Sequence, residues 1–272
     1  MIKNQYQWVL ITGASSGIGE IFALEMASKG KNVVLVARTE SKLDQLSERI
    51  ERTYQVRAEV IVSDLSEEDA PQKVYEECQN RGIEIDILIN NAGFATHGWF
   101  EQVDRSRQQD EIMLNVLALT NMTHLFLPDM LQKENGAIIN ISSTAAFQPD
   151  PYMAVYGATK AYVLSFTEAL YEENRKRGVQ FLALCPGSTE TSFFDVVGAD
   201  EASVGKRDTP EHVVAVAMRA LESGKPYAVP GTRNYWTAQF SRLMPRKSML
   251  RIVGSMLRPR SKGGKAEATT LN

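Results

Sequence analysis

Apolar residues in this chain fall into short, nearly unbroken runs, separated by longer stretches in which they recur every three or four positions. The runs at 8–11, 33–37, 58–62, 85–89, 137–141, 179–184 and 227–229 are rich in β-branched residues. A run that is apolar along its whole length suits a strand covered on both faces. Between the runs, helical spacing predicts a helix up to Ser28 and another from about Ser41. Further helices are predicted at 67–79, 104–131, 152–175 and 210–222. Regular alternation of strand and helix predicts an α/β fold with a doubly wound parallel sheet of about seven strands. Right-handed crossovers then place helices on both faces of that sheet.

The pattern changes beyond Gly231. Trp236, Phe240, Leu243, Met244, Met249, Ile252, Val253 and Met256 keep helical spacing, and Pro245 splits them into two pieces. Arg242, Arg246, Lys247, Arg251, Arg258 and Arg260 share the stretch. Residues 1–233 therefore read as one domain, 234–260 as an amphipathic helical extension, and 261–272 as a disordered tail.

Composition narrows the function classes. The 272 residues carry a formal net charge of -3, without the basic field that nucleic-acid binding needs. The two cysteines, Cys78 and Cys185, are far apart and read as small buried hydrophobes in a reducing compartment. His97, His124 and His212 lack metal-ligand spacing, so no metal site is expected. The N-terminus leaves no room for a signal peptide, and no stretch approaches the roughly 20 apolar residues of a spanning helix. A cytoplasmic setting is the expectation.

The first strand runs into Thr12-Gly13-Ala14-Ser15-Ser16-Gly17-Ile18-Gly19, and a helix follows. Glycines let backbone approach a phosphate without a Cβ clash. A helix start offers free N–H groups and a positive dipole end to a pyrophosphate. A tight strand–helix turn would look similar, but the strand–loop–helix context is the one that marks a Rossmann-type dinucleotide site. At the end of the second strand, an NAD site usually carries an acid for the ribose hydroxyls. Here Ala37 and Arg38 stand there. A planar, permanently charged guanidinium suits the 2′-phosphate of NADP.

Tyr156 and Lys160 lie four apart on a predicted helix, so they share a face. A phenol has a pKa near 10, too high for acid–base work at neutral pH. An ammonium about 4 Å away would favour the phenolate by up to roughly 4 kcal/mol at an effective dielectric near 20. That is up to about three pKa units, which would bring Tyr156 near the working range of a general acid/base; a surface Tyr–Lys contact would show the same spacing.

These motifs occur in order with Asn90-Asn91-Ala92-Gly93, Ser143 and Pro186-Gly187. Over about residues 8–230 the chain resembles the single-domain branch of the short-chain dehydrogenase/reductase family. The resemblance implies a soluble enzyme that moves a hydride between NADPH and a carbonyl/alcohol pair. It implies that Gly13, Gly17, Ile18 and Gly19 form the pyrophosphate turn, and that Ser15 and Arg38 hold the 2′-phosphate. Ser16 occupies the position where many NADP-using members have a basic residue, so the NADP preference rests mainly on Arg38. Asp64 and Leu65 match the adenine contact. Asn91, Ala92 and Gly93 match the loop beside the adenosine ribose. Pro186, Gly187 and Thr191 match the loop that holds the nicotinamide carboxamide. Ser143, thirteen residues before Tyr156, is the implied catalytic serine that polarises the carbonyl. Tyr156 donates the proton, Lys160 orients the ribose and lowers the tyrosine pKa, and Asn115 anchors a relay water.

The loops at 94–100, 144–155 and 188–205 should meet at the carboxyl ends of the strands and build the substrate site. They carry Phe94, Trp99, Phe147, Pro149, Pro151, Tyr152, Met153, Phe193, Phe194, Val196 and Val197, which suggests a hydrophobic ketone, aldehyde or acyl chain. His97 reads as a loop residue, and Gly198 and Gly205 as hinges of a lid. Pro186–Thr191 with the basic tail is similar to a bacterial branch of general oxidoreductases, which names no substrate. The extension has three readings: a cover for the cleft, an interface of a homodimer or homotetramer, or a contact with an anionic membrane surface. Two other functions share the fold, a non-catalytic NADP-binding regulator and a membrane-surface reductase of lipid-like substrates.

Overall fold

A computed structural model describes residues 6–193, 197–199, 203, 205–241 and 244–259. Phe194, Val196, Arg242, Leu243, Arg260 and the tail at 261–272 lie outside the described residues.

Seven parallel strands form one sheet. They are β1 (Trp8–Thr12), β2 (Asn32–Ala37), β3 (Ala58–Val62), β4 (Ile87–Asn90), β5 (Gly136–Ile141), β6 (Val179–Leu184) and β7 (Tyr227–Ala228), in the order β3-β2-β1-β4-β5-β6-β7. The helices are α1 (Gly17–Ser28), α2 (Glu40–Tyr54), α3 (Ala70–Asn80), α4 (Arg105–Ile112), α5 (Leu119–Gln132), α6 (Ala154–Asn174) and α7 (Pro210–Glu222). Two more, α8 (Thr232–Phe240) and α9 (Arg246–Leu257), follow the sheet.

Strand residues alternate between two cores, because successive side chains point to opposite faces. Val9, Ile11, Leu35 and Ile89 pack with Phe22, Met26, Leu43 and Val213 under α1, α2 and α7. Leu10, Val34, Leu88 and Ile138 pack with Val74, Met122 and Phe126 under α3 and α5. This double burial is why the strand runs are apolar throughout.

The strand order reverses beside β1: the chain steps outward to β2 and β3, then crosses to β4 on the other side. That switch point opens a crevice at the carboxyl ends of the strands, where open α/β sheets bind ligands.

Several elements differ from the sequence expectation; the strand expected at 85–89, for one, runs Ile87–Asn90. The helix expected at 67–79 starts at Ala70, because residues 65–69 turn first and Pro71 sits in its first turn. The helix expected from Tyr152 starts at Ala154, since Tyr152 is left-handed with φ 68°. The long helix expected at 104–131 is interrupted by a π-helical turn, Met113–Ala118. Pro245 ends the gap between the last two helices and precedes the first residue of α9. Among the described residues, no helix is long and apolar enough to cross a membrane.

Candidate active site

The loop after β1 is shaped by its glycines. Gly13 and Gly17 have φ of 64° and 59°, a region that only glycine enters freely. A Cβ on Gly19 would stand 2.3 Å from the Gly13 carbonyl oxygen and 2.5 Å from Asn91 Nδ2. The α1 start is thereby pressed against the loop, and the free N–H groups of a helix start suit a phosphate. Thr191 packs on the outside of this loop, since a Cβ on Gly17 would meet its Cγ2 at 2.9 Å. Gly13, Ser16, Gly17, Ile18, Asn91, Ala92, Gly93, Pro186, Gly187 and Thr191 all border one cleft of about 1070 Å³. A backbone cradle that admits no side chain fits a dinucleotide phosphate.

Asn91 does more than border the cleft. Its Nδ2 donates to the Thr12 and Gly13 carbonyls at 2.9 and 3.2 Å, so it braces the phosphate loop from behind. Arg38 and Asp64 lie together at the ends of β2 and β3, with Nη1 and Oδ2 3.5 Å apart. Burial works against the Asp64 charge, but hydrogen bonds from Ser66 and the Arg38 guanidinium hold its carboxyl below the usual range. Ser15 and Leu65 are not among the cleft's walls.

Ser143, Tyr156 and Lys160 converge on the cleft floor. Ser143, extended at φ −165°, follows β5 and caps the short 3-10 turn Thr144–Phe147 by accepting from Ala145 N. Its hydroxyl donates to the Pro186 carbonyl at 3.5 Å and acts to lower the pKa of the Tyr156 phenol. Lys160 Nζ donates to the Ile141 carbonyl at 2.9 Å and stands 5.7 Å from the centroid of the Tyr156 ring. Ser142 Oγ donates to the Lys160 carbonyl at 2.8 Å, which locks α6 against the end of β5.

The expected electrostatics of this pair are reversed. Burial pushes the Tyr156 phenol up, Ser143 opposes it, and the charges of Asp150 and Glu111 add to the rise. Burial also draws the Lys160 ammonium down to about 8, against the pull of Glu111. The ammonium is turned to a backbone carbonyl, so desolvation outweighs the attraction that the four-residue spacing suggested. Tyr156 is thus a neutral, proton-loaded acid in this structure.

Asn115 lies in the π-helical turn, behind the cleft wall and 1% exposed. Its Nδ2 donates to the Phe94 carbonyl at 2.9 Å and to Thr159 Oγ1 at 3.1 Å, and its Oδ1 accepts from Phe94 N at 3.2 Å. The wide turn is where π-bulges commonly carry functional side chains.

Sequence reasoning missed several residues. Asn90, paired with Asn140 across β4 and β5, donates to it at 2.9 Å and to Thr123 Oγ1 at 3.1 Å. Asn140 donates onward to Thr167 Oγ1 at 3.0 Å, so a buried polar chain pins the strand ends to two helices. A polar residue interrupting each apolar run was the available signal. Glu111 and Asp150 are buried acids, pushed up to about 7 and about 6 by burial; no local pattern marked either.

The extension covers the cleft. Trp236, Phe240, Met249, Ile252 and Val253 line it. Leu257 packs near Met153, Tyr156 and Phe193, and its carbonyl accepts from His97 Nε2 at 2.7 Å. Cys78 and Cys185 are both buried thiols, as expected of small hydrophobes.

A switch-point crevice, a glycine-rich loop at a helix start and a buried Ser–Tyr–Lys group define a dinucleotide-dependent oxidoreductase. The sequence comparison gives the family directly. Residues 7–202 match the family model for short chain dehydrogenase, and the chain belongs to that family. It is 38% identical over 189 residues to hydroxysteroid dehydrogenase-like protein 1 of Gallus gallus, covering 68% of this chain and 56% of that protein. It is 32% identical over 219 residues to the very-long-chain 3-oxoacyl-CoA reductase of Bos taurus, covering 79% of this chain and 68% of that one. The match thus spans little more than half the length of the avian relative. A short-chain dehydrogenase from Sphingobium yanoikuyae in complex with NADPH superposes with a TM-score of 0.80 at 32% identity, over 95% of this chain and 98% of that chain. The Sphingobium neighbour holds NADPH, and the family model that matches here is that of short chain dehydrogenases.

Proposed function

We propose that this chain reduces a large hydrophobic ketone or aldehyde with NADPH. The observation that carries the proposal is the position of Tyr156 at the floor of a cleft walled by Phe193, Trp236, Phe240, Met249, Ile252 and Val253. The avian and bovine relatives are named for steroid and very-long-chain acyl compounds, which agrees with such walls.

NADPH supplies the hydride when bound. The chain's own groups do the rest. Ser143 donates a hydrogen bond to the substrate oxygen and fixes it beside the phenol. Tyr156 delivers its proton to that oxygen as the carbonyl carbon gains the hydride, so an alcohol forms and charge balances. Lys160 holds a positive charge under the phenol and refills its proton. Asn115 keeps the 94–96 loop against the wall. Arg38 receives the 2′-phosphate at the far end. The apolar walls exclude water, which strengthens every polar contact inside.

NADPH consumption with ketones and aldehydes of graded chain length tests the reading. The rate constant kcat/KM should rise with apolar size. A protein that binds NADPH and turns over none of the panel would favour a non-catalytic NADP-binding regulator.

A second reading concerns place. No Asp or Glu occurs between Glu222 and Glu267, while Arg233, Arg246, Lys247, Arg251 and Arg258 do. Trp236 and Phe240 are 60% and 62% exposed at the mouth of the cleft. A basic, apolar rim suits an anionic bilayer surface from which a lipophilic substrate could enter. Co-sedimentation with phosphatidylglycerol vesicles, lost on deleting 234–272, would support this; equal sedimentation with neutral vesicles would not. The reading otherwise keeps a cytoplasmic setting and a homodimer or homotetramer, which sedimentation velocity measures.

A further inference from the structure

Glu111 sits one helical turn before Asn115, so the two side chains leave the same face. It is wholly buried. Its Oε2 accepts from Thr96 N at 3.1 Å and from Thr96 Oγ1 at 2.6 Å. Its Oε1 is buried with no hydrogen-bond partner among the described residues. Asn115 grips Phe94 in the same loop, so the helix holds residues 94–96 with two adjacent side chains. The start of that loop backs onto the reaction centre: a Cβ on Gly93 would stand 2.8 Å from Asn115 Oδ1 and 3.4 Å from Lys160 Nζ. Amide and ammonium therefore meet at Gly93 behind the cleft, and the Glu111 carboxyl lies one helical turn before the amide.

A neutral acceptor would suffice to hold Thr96. A buried acid with a bare oxygen is costly unless its charge has a use. We propose that Glu111 is a positioning residue, whose carboxylate helps hold the Lys160 ammonium charged beneath Tyr156 at and just above neutral pH. The inference rests on the roles given above to Tyr156 and Lys160.

The surrounding charges agree. Burial draws Lys160 down to about 8, and Glu111 is the first group that opposes this, followed by Cys185. Burial pushes Glu111 up to about 7, and the Thr96 hydrogen bonds, Lys160 and Arg107 oppose that. Cys185, whose thiol burial pushes up to about 12, stays neutral. Asp150 faces Tyr156 from the turn before α6 and adds a second negative influence there. Tyr156 itself is neutral. Between the Glu111 and Lys160 values both groups are ionised, and above about 8 the lysine loses its proton.

The test uses the full chain and Glu111→Gln, which keeps an acceptor for Thr96 and removes the charge. Two readouts are needed. One is the pH profile of kcat/KM for NADPH-dependent reduction, where the alkaline limb should move toward acid by about one pH unit. The other is the 13C titration of the Lys160 ε-methylene in the protein without nucleotide, where the midpoint should fall in the same sense. Thr96→Val removes one hydrogen bond to the carboxylate and should move both readouts in the same direction by less. It keeps the test open if Glu111→Gln does not fold. Unchanged midpoints in folded variants would overturn the proposal. A Tyr156→Phe enzyme with full activity would instead overturn the assignment on which it rests.

Discussion

Arg38 and Asp64 form an ion pair across the ends of β2 and β3, with Nη1 3.5 Å from Oδ2. The sequence resemblance gave the two residues separate tasks, phosphate and adenine. The pair ties the guanidinium to the carboxylate yet leaves its side chain 71% exposed. Exposed ion pairs contribute little to stability. Arg38→Ala should therefore leave the melting temperature nearly unchanged. It should raise the dissociation constant for NADPH about tenfold or more, equivalent to about 1.4 kcal/mol, and spare NADH. Equal losses for both nucleotides, measured by fluorescence titration, would remove Arg38 from the phosphate site.

Tyr156→Phe keeps the ring that packs near Phe193, 5.8 Å between centroids, and removes only the acid. Turnover should fall at least a thousandfold, within the range expected of general acid catalysis, while NADPH binding stays within about twofold. Single-turnover absorbance at 340 nm reads the first quantity and titration the second.

Gly19→Ala places a Cβ 2.3 Å from the Gly13 carbonyl. Backbone cannot give way as a side-chain tip can. The expected cost is about 1–3 kcal/mol of stability, with NADPH affinity falling more than tenfold as the loop shifts. Thermal melts with and without NADPH separate the two effects.

Asp150 gives a stability prediction with a defined sign. Burial pushes its carboxyl from 3.8 up to about 6, and the hydrogen bond from Gln148 opposes. The fold thus holds this proton more tightly than the unfolded chain does. Its stabilising contribution is full below about 3.8 and is lost as pH rises through about 6. Asp150→Asn should match the wild type near the acid end of that window. Above it, the variant should be more stable by up to about 3 kcal/mol. Urea melts across that window measure the difference.

Trp236→Ala removes an aromatic wall of the cleft. For bulky apolar ketones KM should rise about tenfold, with little change for the smallest substrates. Uniform loss across the panel would mean that Trp236 supports the fold rather than the substrate.

Much of this protein was legible along the chain, because its signals are local. The strands announce themselves as apolar runs, since each lies between two cores. Gly13, Gly17 and Gly19 mark a loop that only glycine can follow. Tyr156 and Lys160 share a helix face by spacing alone. What the chain could not state were quantities summed over distant neighbours. The sign of the Tyr156 shift depends on how much protein encloses the phenol, and on Asp150 and Glu111, contributed by other segments. The π-helical turn at Asn115 follows from docking on the Phe94 loop, not from the periodicity of residues 104–131. That the basic extension packs at the cleft, with Leu257 near Tyr156 and Met153, follows from tertiary contacts that its own periodicity does not encode. Periodicity encodes elements because backbone geometry repeats over a few residues. Desolvation and contact are decided by which elements meet, and only the folded chain determines that.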